Sequence, residues 1–253
     1  MKKSRTFDVV VIIMFAALAL LTLYPFYNVI ILSFSNTESV AKHIPYLLPF
    51  ALDLTGYKTI IQDSDFINSL LVSLFVTIVG TAVNMVLSVI AAYVLSRKYL
   101  DGRNMIMSVI VFTMLFGGGL VPTYMVIKDM GLINKVWAMI LPTAINTYYL
   151  IIMKNYFLGL PDGLFEAAKL DGAGEWTMLW KVAFPLSKPI MATFTLFYAV
   201  DRWNEWYNAL LYINKKALSP LQIYLRDILT SLNSQLSTQA QQMMGSTQKV
   251  STS

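Results

Sequence analysis

Five stretches of this chain are apolar for long enough to exclude most soluble folds: about Phe7 to Phe34, Phe66 to Leu95, Met105 to Ile127, Val136 to Phe157 and Pro189 to Ile213. About 20 apolar residues in a helix cross the hydrocarbon of a bilayer once. Helices are the natural form for such runs, because lipid offers no partner to a backbone amide and a helix pairs its amides internally. Composition agrees. Of 253 residues, 57% are hydrophobic and 13% charged, and the mean hydropathy is +0.60, outside the balance of ordinary soluble domains. The expected fold class is all-α, a polytopic bundle of membrane helices.

Charge sets the orientation. Lys2, Lys3 and Arg5 precede the first run, which is longer than a signal-peptide core and shows no small-residue cleavage site before Pro25. It reads as an uncleaved helix with a cytoplasmic N-terminus. Arg97, Lys98 and Arg103 form a compact basic turn after the second run, which again belongs inside. The polar stretch from Asn36 to Asp65 is then external, dividing the chain into residues 1–65, a helix plus outer segment, and a core of residues 66–253. The net charge of +5 is accounted for by bases at membrane-span ends, so no nucleic-acid partner is implied. There is no cysteine, which excludes disulfides, thiolate metal sites and cysteine nucleophiles. The single histidine, His43, falls in the outer segment and rules out a histidine metal cluster or a Ser-His-Asp triad in the membrane portion.

Two interruptions stand out. Gly117-Gly118-Gly119 and Pro122 break the third run, whose outer part should be kinked or partly unwound. The triplet is either a close-packing surface or a gating hinge. A short loop from Lys128 to Lys135, turning at Gly131, makes the third and fourth runs antiparallel neighbours. After Ile213 the chain turns polar and contains no further span.

Between the fourth and fifth runs lies EAAKLDGAGEWTMLWKVAFP, Glu166 to Pro185. Pro161 and Asp162 favour a helix start with acidic charge at its positive end, giving a short helix over Leu164 to Leu170. Gly172 and Gly174 are suited to a left-handed turn. A second helix, Glu175 to about Ala183, is expected to stop at Pro185. Two short helices on a glycine turn make a compact knob. Ala167 and Ala168 are small enough to enter a groove, and Glu166 and Asp171 offer carboxylates to a basic partner. The competing reading is an amphipathic loop with Trp176 and Trp180 anchored among lipid headgroups.

Inside the fifth run, Asp201, Asn204, Glu205 and Asn208 follow i, i+3, i+4, i+7 spacing and are expected on one helix face, roughly 18 to 29 Å along the helix from Pro189. Arg202 is within reach of Glu205 or Trp206. Ionisable groups at such depth normally face protein or water, so these residues line a translocation path or pair between helices. Tyr124, Asn146, Tyr148 and Tyr149 are candidates for the same path. Aromatic faces with carboxylates and amides suit a sugar.

The Glu166–Pro185 segment follows the pattern E-A-A-x3-G-x9-I-x-L-P, with Val182 and Phe184 as conservative changes. It resembles the signature loop of binding-protein-dependent ABC importer permeases of the type I class. Gly117 to Pro142 and the Trp-Asn-Glu triplet at Trp203 further resemble the carbohydrate, especially oligosaccharide, members of that family. The resemblance implies that Glu166, Ala167, Ala168, Asp171, Gly172, Ala173 and Pro185 couple the chain to a cytoplasmic ABC ATPase present in two copies. It also implies a second, homologous permease subunit, an extracellular solute-binding lipoprotein and a carbohydrate substrate. The chain has no phosphate-binding loop of its own, so it is expected to bind no cofactor and to be no enzyme, with ATP and Mg2+ on the partner ATPases. Members usually carry a sixth helix after the fifth; its absence here is expected to reflect a truncated or fragmentary chain. An ion-coupled carrier or channel, a permease for another solute, and a membrane-embedded enzyme are the alternatives.

Overall fold

The computed structural model describes residues 5–35 and 52–250; His43 and most of the polar outer segment fall outside them. Among the described residues the chain is helical, apart from loops and one isolated bridge between Ser35 and Leu52. It divides into two compact units, Met1–Ser64 and Asp65–Ser253.

The first unit contains α1 (Arg5–Ser33) and α2 (Thr55–Gln62). α1 is apolar on all sides and none of its most apolar window is buried, as expected of a helix whose solvent is lipid. Pro25 lies within it. The end of α1 is tied to α2 by stacking of Phe34 on Tyr57 and a 2.8 Å hydrogen bond from the Tyr57 hydroxyl to Ser33 Oγ.

In the second unit α3 (Ser64–Ser96) is a continuous rod of 33 residues. One side of it is buried and small or polar: Ser69, Ser73, Gly80, Asn84, Ser88, Ala92 and Ser96. Spacings of four and seven residues keep them on one face, where neighbouring helices approach closely. Among the described residues, α1 and α3 are the two helices long and apolar enough to cross a membrane singly.

The other three runs are broken, each for a local reason. The third becomes α4 (Arg103–Leu115) and α5 (Leu120–Asp129), bent by 114°. The break falls at Phe116–Gly119, where Gly119 has φ +83°, a conformation open mainly to glycine. The kink expected from the glycine triplet is therefore present. Pro122 is not part of the break. It sits in the first turn of α5, where its missing N–H has no helical acceptor to lose.

The fourth run is not one helix. It comprises α6 (Trp137–Ile140), a 3-10 turn (Leu141–Thr143) and α7 (Thr147–Leu158). Pro142 cannot donate a helical hydrogen bond, and the Asn146 side chain accepts from the N–H groups of Tyr148 and Tyr149, starting α7 as an N-cap. The loop before α6 is pinned by Asn134, at φ +59°, whose Oδ1 accepts from the N–H groups of Asn214 and Lys215 at 2.7 and 3.1 Å.

α8 (Asp162–Leu170) and a helical path over residues 175–186 form the connection to the fifth run. The fifth run is α9 (Lys188–Trp203) and α10 (Tyr207–Tyr212), parted at Asn204–Trp206. Past Ile213, where the sequence suggests no span, the chain forms α11 (Leu221–Val250), too polar to count among the membrane-crossing helices. Its start is held by the Leu221 N–H on Ser73 Oγ at 2.8 Å and by Tyr224 against Phe66.

The main core gathers α3, α7, α8, the 175–186 path and α9 around Tyr93, Met153, Phe157, Phe165, Met178, Leu179 and Phe194. It mounts the connecting loop on the rest of the bundle.

Candidate functional site

The loop begins with α8, which starts two residues earlier than the sequence suggests. Asp162 occupies its first turn and pairs with Lys98 at 2.6 Å, with both side chains largely exposed. The helix ends as the sequence requires. Ala173 N–H reaches Ala168 O at 2.9 Å, Gly172 N–H reaches Lys169 O at 3.0 Å, and Gly172 has φ +79°. This pair of bonds with a left-handed glycine is a Schellman motif. Gly174 does not share the role: its φ of −76° and ψ of 168° are extended. Pro185 does not stop the second helix either. Met178–Ala183 is wound as a π-helix and Phe184–Leu186 continues it, so the break comes at Ser187. A wider turn just ahead of Pro185 shifts the bonding pattern where the proline has no N–H to give.

The inner side of this knob is fixed by a polar strap. Glu175 receives the Tyr93 hydroxyl on Oε2 at 2.9 Å and the Tyr99 hydroxyl on Oε1. The Arg97 guanidinium lies between the rings of Phe165 and Tyr93, 3.8 and 4.1 Å from their centroids, and Lys169 Nζ stands 4.4 Å over Tyr99. Burial opposes the Glu175 charge, but the hydrogen bonds from Tyr99 and Tyr93 and the nearby Lys169 and Arg97 outweigh it, holding its carboxyl below its ordinary range. Tyr99 is pushed up to about 12 by burial and by the carboxylate it donates to.

Among the described residues, no hydrogen bond or ion pair of this kind holds the outer side. Glu166, Ala167, Asp171 and Gly172 are exposed, Ala168 and Ala173 are half-buried against the core, and Leu170 is 90% exposed. Glu166 borders a cleft of about 230 Å3 shared with Arg97, Lys98 and Lys169.

A second concavity, of about 460 Å3, opens at the breaks in the fourth and fifth runs. Asn84, Met114, Pro142, Thr143, Asn146, Tyr148, Tyr198, Asp201, Arg202 and Glu205 are among its lining residues. Arg202, 3% exposed, holds it together. Its guanidinium donates to Met139 O (2.7 Å), Ile140 O (3.2 Å), Thr143 O (2.7 Å), Thr143 Oγ1 (3.0 Å) and Asn84 Oδ1 (3.1 Å). Glu205 completes the set at 3.6 Å. The carbonyls exposed by the broken fourth run thus find a charged donor. Without one, non-helical backbone at this depth would be left unpaired.

Comparison with known proteins decides the class. The family model described as binding-protein-dependent transport system inner membrane component matches residues 85–243. The chain belongs to that family. Protein LplC of Bacillus subtilis is 44% identical over 227 residues, covering 90% of this chain and 77% of LplC. The polygalacturonan/rhamnogalacturonan transport system permease protein YtcP of the same organism is 46% identical over 226 residues, covering 89% of this chain and 79% of YtcP. A crystal structure of a bacterial ABC transporter involved in the import of the acidic polysaccharide alginate contains a chain matched with a TM-score of 0.86 at 32% identity, covering 90% of this chain and 81% of that one. The chain is therefore a multi-pass membrane permease of this transporter family.

In this permease the residues singled out for a path are only partly brought together. Asp201, Glu205 and Asn146 line the cavity. Tyr149 stands behind it, giving its hydroxyl to Asp201 Oδ2 at 3.1 Å and packing on Phe194, Phe197 and Tyr198. The expected common helix face of Asp201, Asn204, Glu205 and Asn208 does not exist, because α9 ends at Trp203. Asn204 is exposed and turned back to Val200 O. Glu205 caps α10 instead, accepting the Asn208 N–H and side-chain amide at 3.0 Å each. Tyr124 stacks on Tyr212 in a separate apolar cluster. Gly117, Gly118 and Gly119 lie exposed at the 114° bend. Sequence reasoning missed Leu170, Glu175 and the binding role of Arg202. Only the last left a trace, as a lone base inside an apolar run.

Proposed function

We propose that this permease forms one half of the translocation path of an ATP-driven importer of oligosaccharides, with its N-terminus in the cytoplasm. A second permease subunit supplies the other half, and an external binding lipoprotein delivers substrate to the mouth. Two ATPase subunits, which carry ATP and Mg2+, drive it through the knob of residues 162–186. The observation that carries this reading is the two-sidedness of that knob. Its inner face is bolted to α3 by Glu175, Phe165 and Leu179, while Glu166, Ala167 and Leu170 are exposed. A projection whose apolar and acidic face has no partner among the described residues suits insertion into a groove on a moving neighbour.

The carbohydrate reading is supported by the polysaccharides for which YtcP and the alginate transporter are named. The cavity chemistry fits as well: the Asp201 and Glu205 carboxylates and the Asn146 amide suit hydroxyl groups, and the exposed Tyr148 ring suits an apolar sugar face. Affinity purification in mild detergent, followed by mass spectrometry, tests the assembly. The chain is expected to bring down an ATPase and a sister permease, and Glu166→Lys is expected to lose the ATPase. Retention of the ATPase by that variant, with normal transport, would exclude the coupling role of α8.

A further inference from the structure

The knob and the cavity are attached to the same helix. At one end, Tyr93 of α3 donates to Glu175 at 2.9 Å. Five residues earlier, about 7.5 Å along the axis, Ser88 shares a buried 2.8 Å hydrogen bond with the Tyr198 hydroxyl. That hydroxyl also accepts the Asn146 N–H at 3.1 Å, at the break in the fourth run. One turn further along α3, Asn84 receives Arg202. Gly80 sits beside the Arg202 stem, where a Cβ would stand 2.9 Å from Cδ.

The covalent routes out of the knob are poorer conductors of motion. Toward α7 the chain passes through the non-helical Gly159–Pro161, and toward α9 through Ser187 at φ −102° and ψ 9°. Both are joints between helices. α3 is unbroken from Ser64 to Ser96, and a displacement of one end of a continuous helix moves its other contacts with it.

We propose that α3 is the connecting rod of this permease, with Glu175–Tyr93 as its drive-end fastening and Ser88–Tyr198 and Asn84–Arg202 as its cavity-end fastenings. The inference rests on the coupling reading of α8 and assigns Glu175, Tyr93 and Ser88 as positioning residues for transport. A pull on the knob shifts α3, and the shift reaches Asn146, Thr143 and Arg202 around the cavity without passing through either joint. The rod requires that nucleotide binding and cavity shape be linked through these three bonds.

The cysteine-free sequence permits a test that needs no knowledge of the sugar. Ile145→Cys, on the cavity wall, is labelled with a maleimide in the assembled, nanodisc-embedded transporter, with and without ATP and vanadate, and labelling is read on this chain. The parent is expected to change labelling rate by at least about fivefold on trapping. Ser88→Ala and Tyr93→Phe, each removing one hydroxyl, are expected to reduce that change to less than about twofold while the ATPase still co-purifies and hydrolyses ATP. Glu175→Gln is expected to behave alike. A purely structural role would lower assembly and hydrolysis together with the labelling change. If Ser88→Ala and Tyr93→Phe both keep the full nucleotide-dependent change, or if the assembled parent shows none, the rod is wrong. If the parent purifies without any ATPase, the coupling reading of α8 has failed instead.

Discussion

Single residues carry the two sites in opposite ways. Arg202 gathers three backbone carbonyls, Thr143 Oγ1 and Asn84 Oδ1 while nearly sealed from solvent. Arg202→Met is expected to strand those acceptors and the Glu205 carboxylate, destabilising the fold by about 3–5 kcal/mol, seen as a fall in melting temperature of the detergent-solubilised chain. Gly80→Ala presses the same side chain from behind and is expected to cost about 1–3 kcal/mol in that assay. Gly172 acts through its backbone alone: nothing lies within 4 Å of the place a methyl group would take, yet φ is +79°. Gly172→Ala is expected to cost about 1–2 kcal/mol, whereas Gly163→Ala, inside α8 with open space around it, should gain up to about 1 kcal/mol. Thermal unfolding of the pair separates conformational strain from lost packing. Gly172 was readable from the sequence because a left-handed turn asks for glycine. Arg202 was readable only in part: its i, i+3 pairing with Glu205 was within reach of the spacing, but three of its acceptors are main-chain carbonyls that any sequence supplies.

At the scale of elements, the strap between α3 and the knob makes a pH statement. Glu175 has its folded pKa lowered below 4.5, so its contribution is present above that value and is lost as pH falls through the lowered one. Tyr99 has its folded pKa raised from 10.0 to about 12, so its contribution is present below 10 and is lost as pH rises through about 12. Hydrogen-exchange protection of residues 175–179, corrected for intrinsic rates, is therefore expected to stay level between about pH 5 and 9 and to fall outside that window. A drop near neutrality would mean that another group holds the strap. The elements themselves were unevenly legible. α1 and α3 follow from long apolar runs, and the bend between α4 and α5 follows from Gly117 to Gly119. The break at residues 142–146 had a signal in Pro142, which has no N–H to give a helix, whereas the break at residues 204–206 was hidden, because an apolar run has no periodicity that distinguishes one helix from two.

For the whole molecule, an importer permease predicts that sugar uptake in cells carrying the assembled system stops when ATP is depleted while ion gradients are maintained. Persistence of uptake would favour an ion-coupled carrier. The amino-acid sequence alone determined that the chain lies in a membrane, that it is helical, and that Glu166 to Gly172 forms a turn-broken projection, since hydropathy, span length and glycine stereochemistry are local properties. Tertiary structure decided which polar residues share a cavity, that Glu205 caps a helix instead of joining a continuous polar face, and that Arg202 closes the broken fourth run. Those outcomes depend on where separate helices meet, and on backbone carbonyls that become available only when a helix ends.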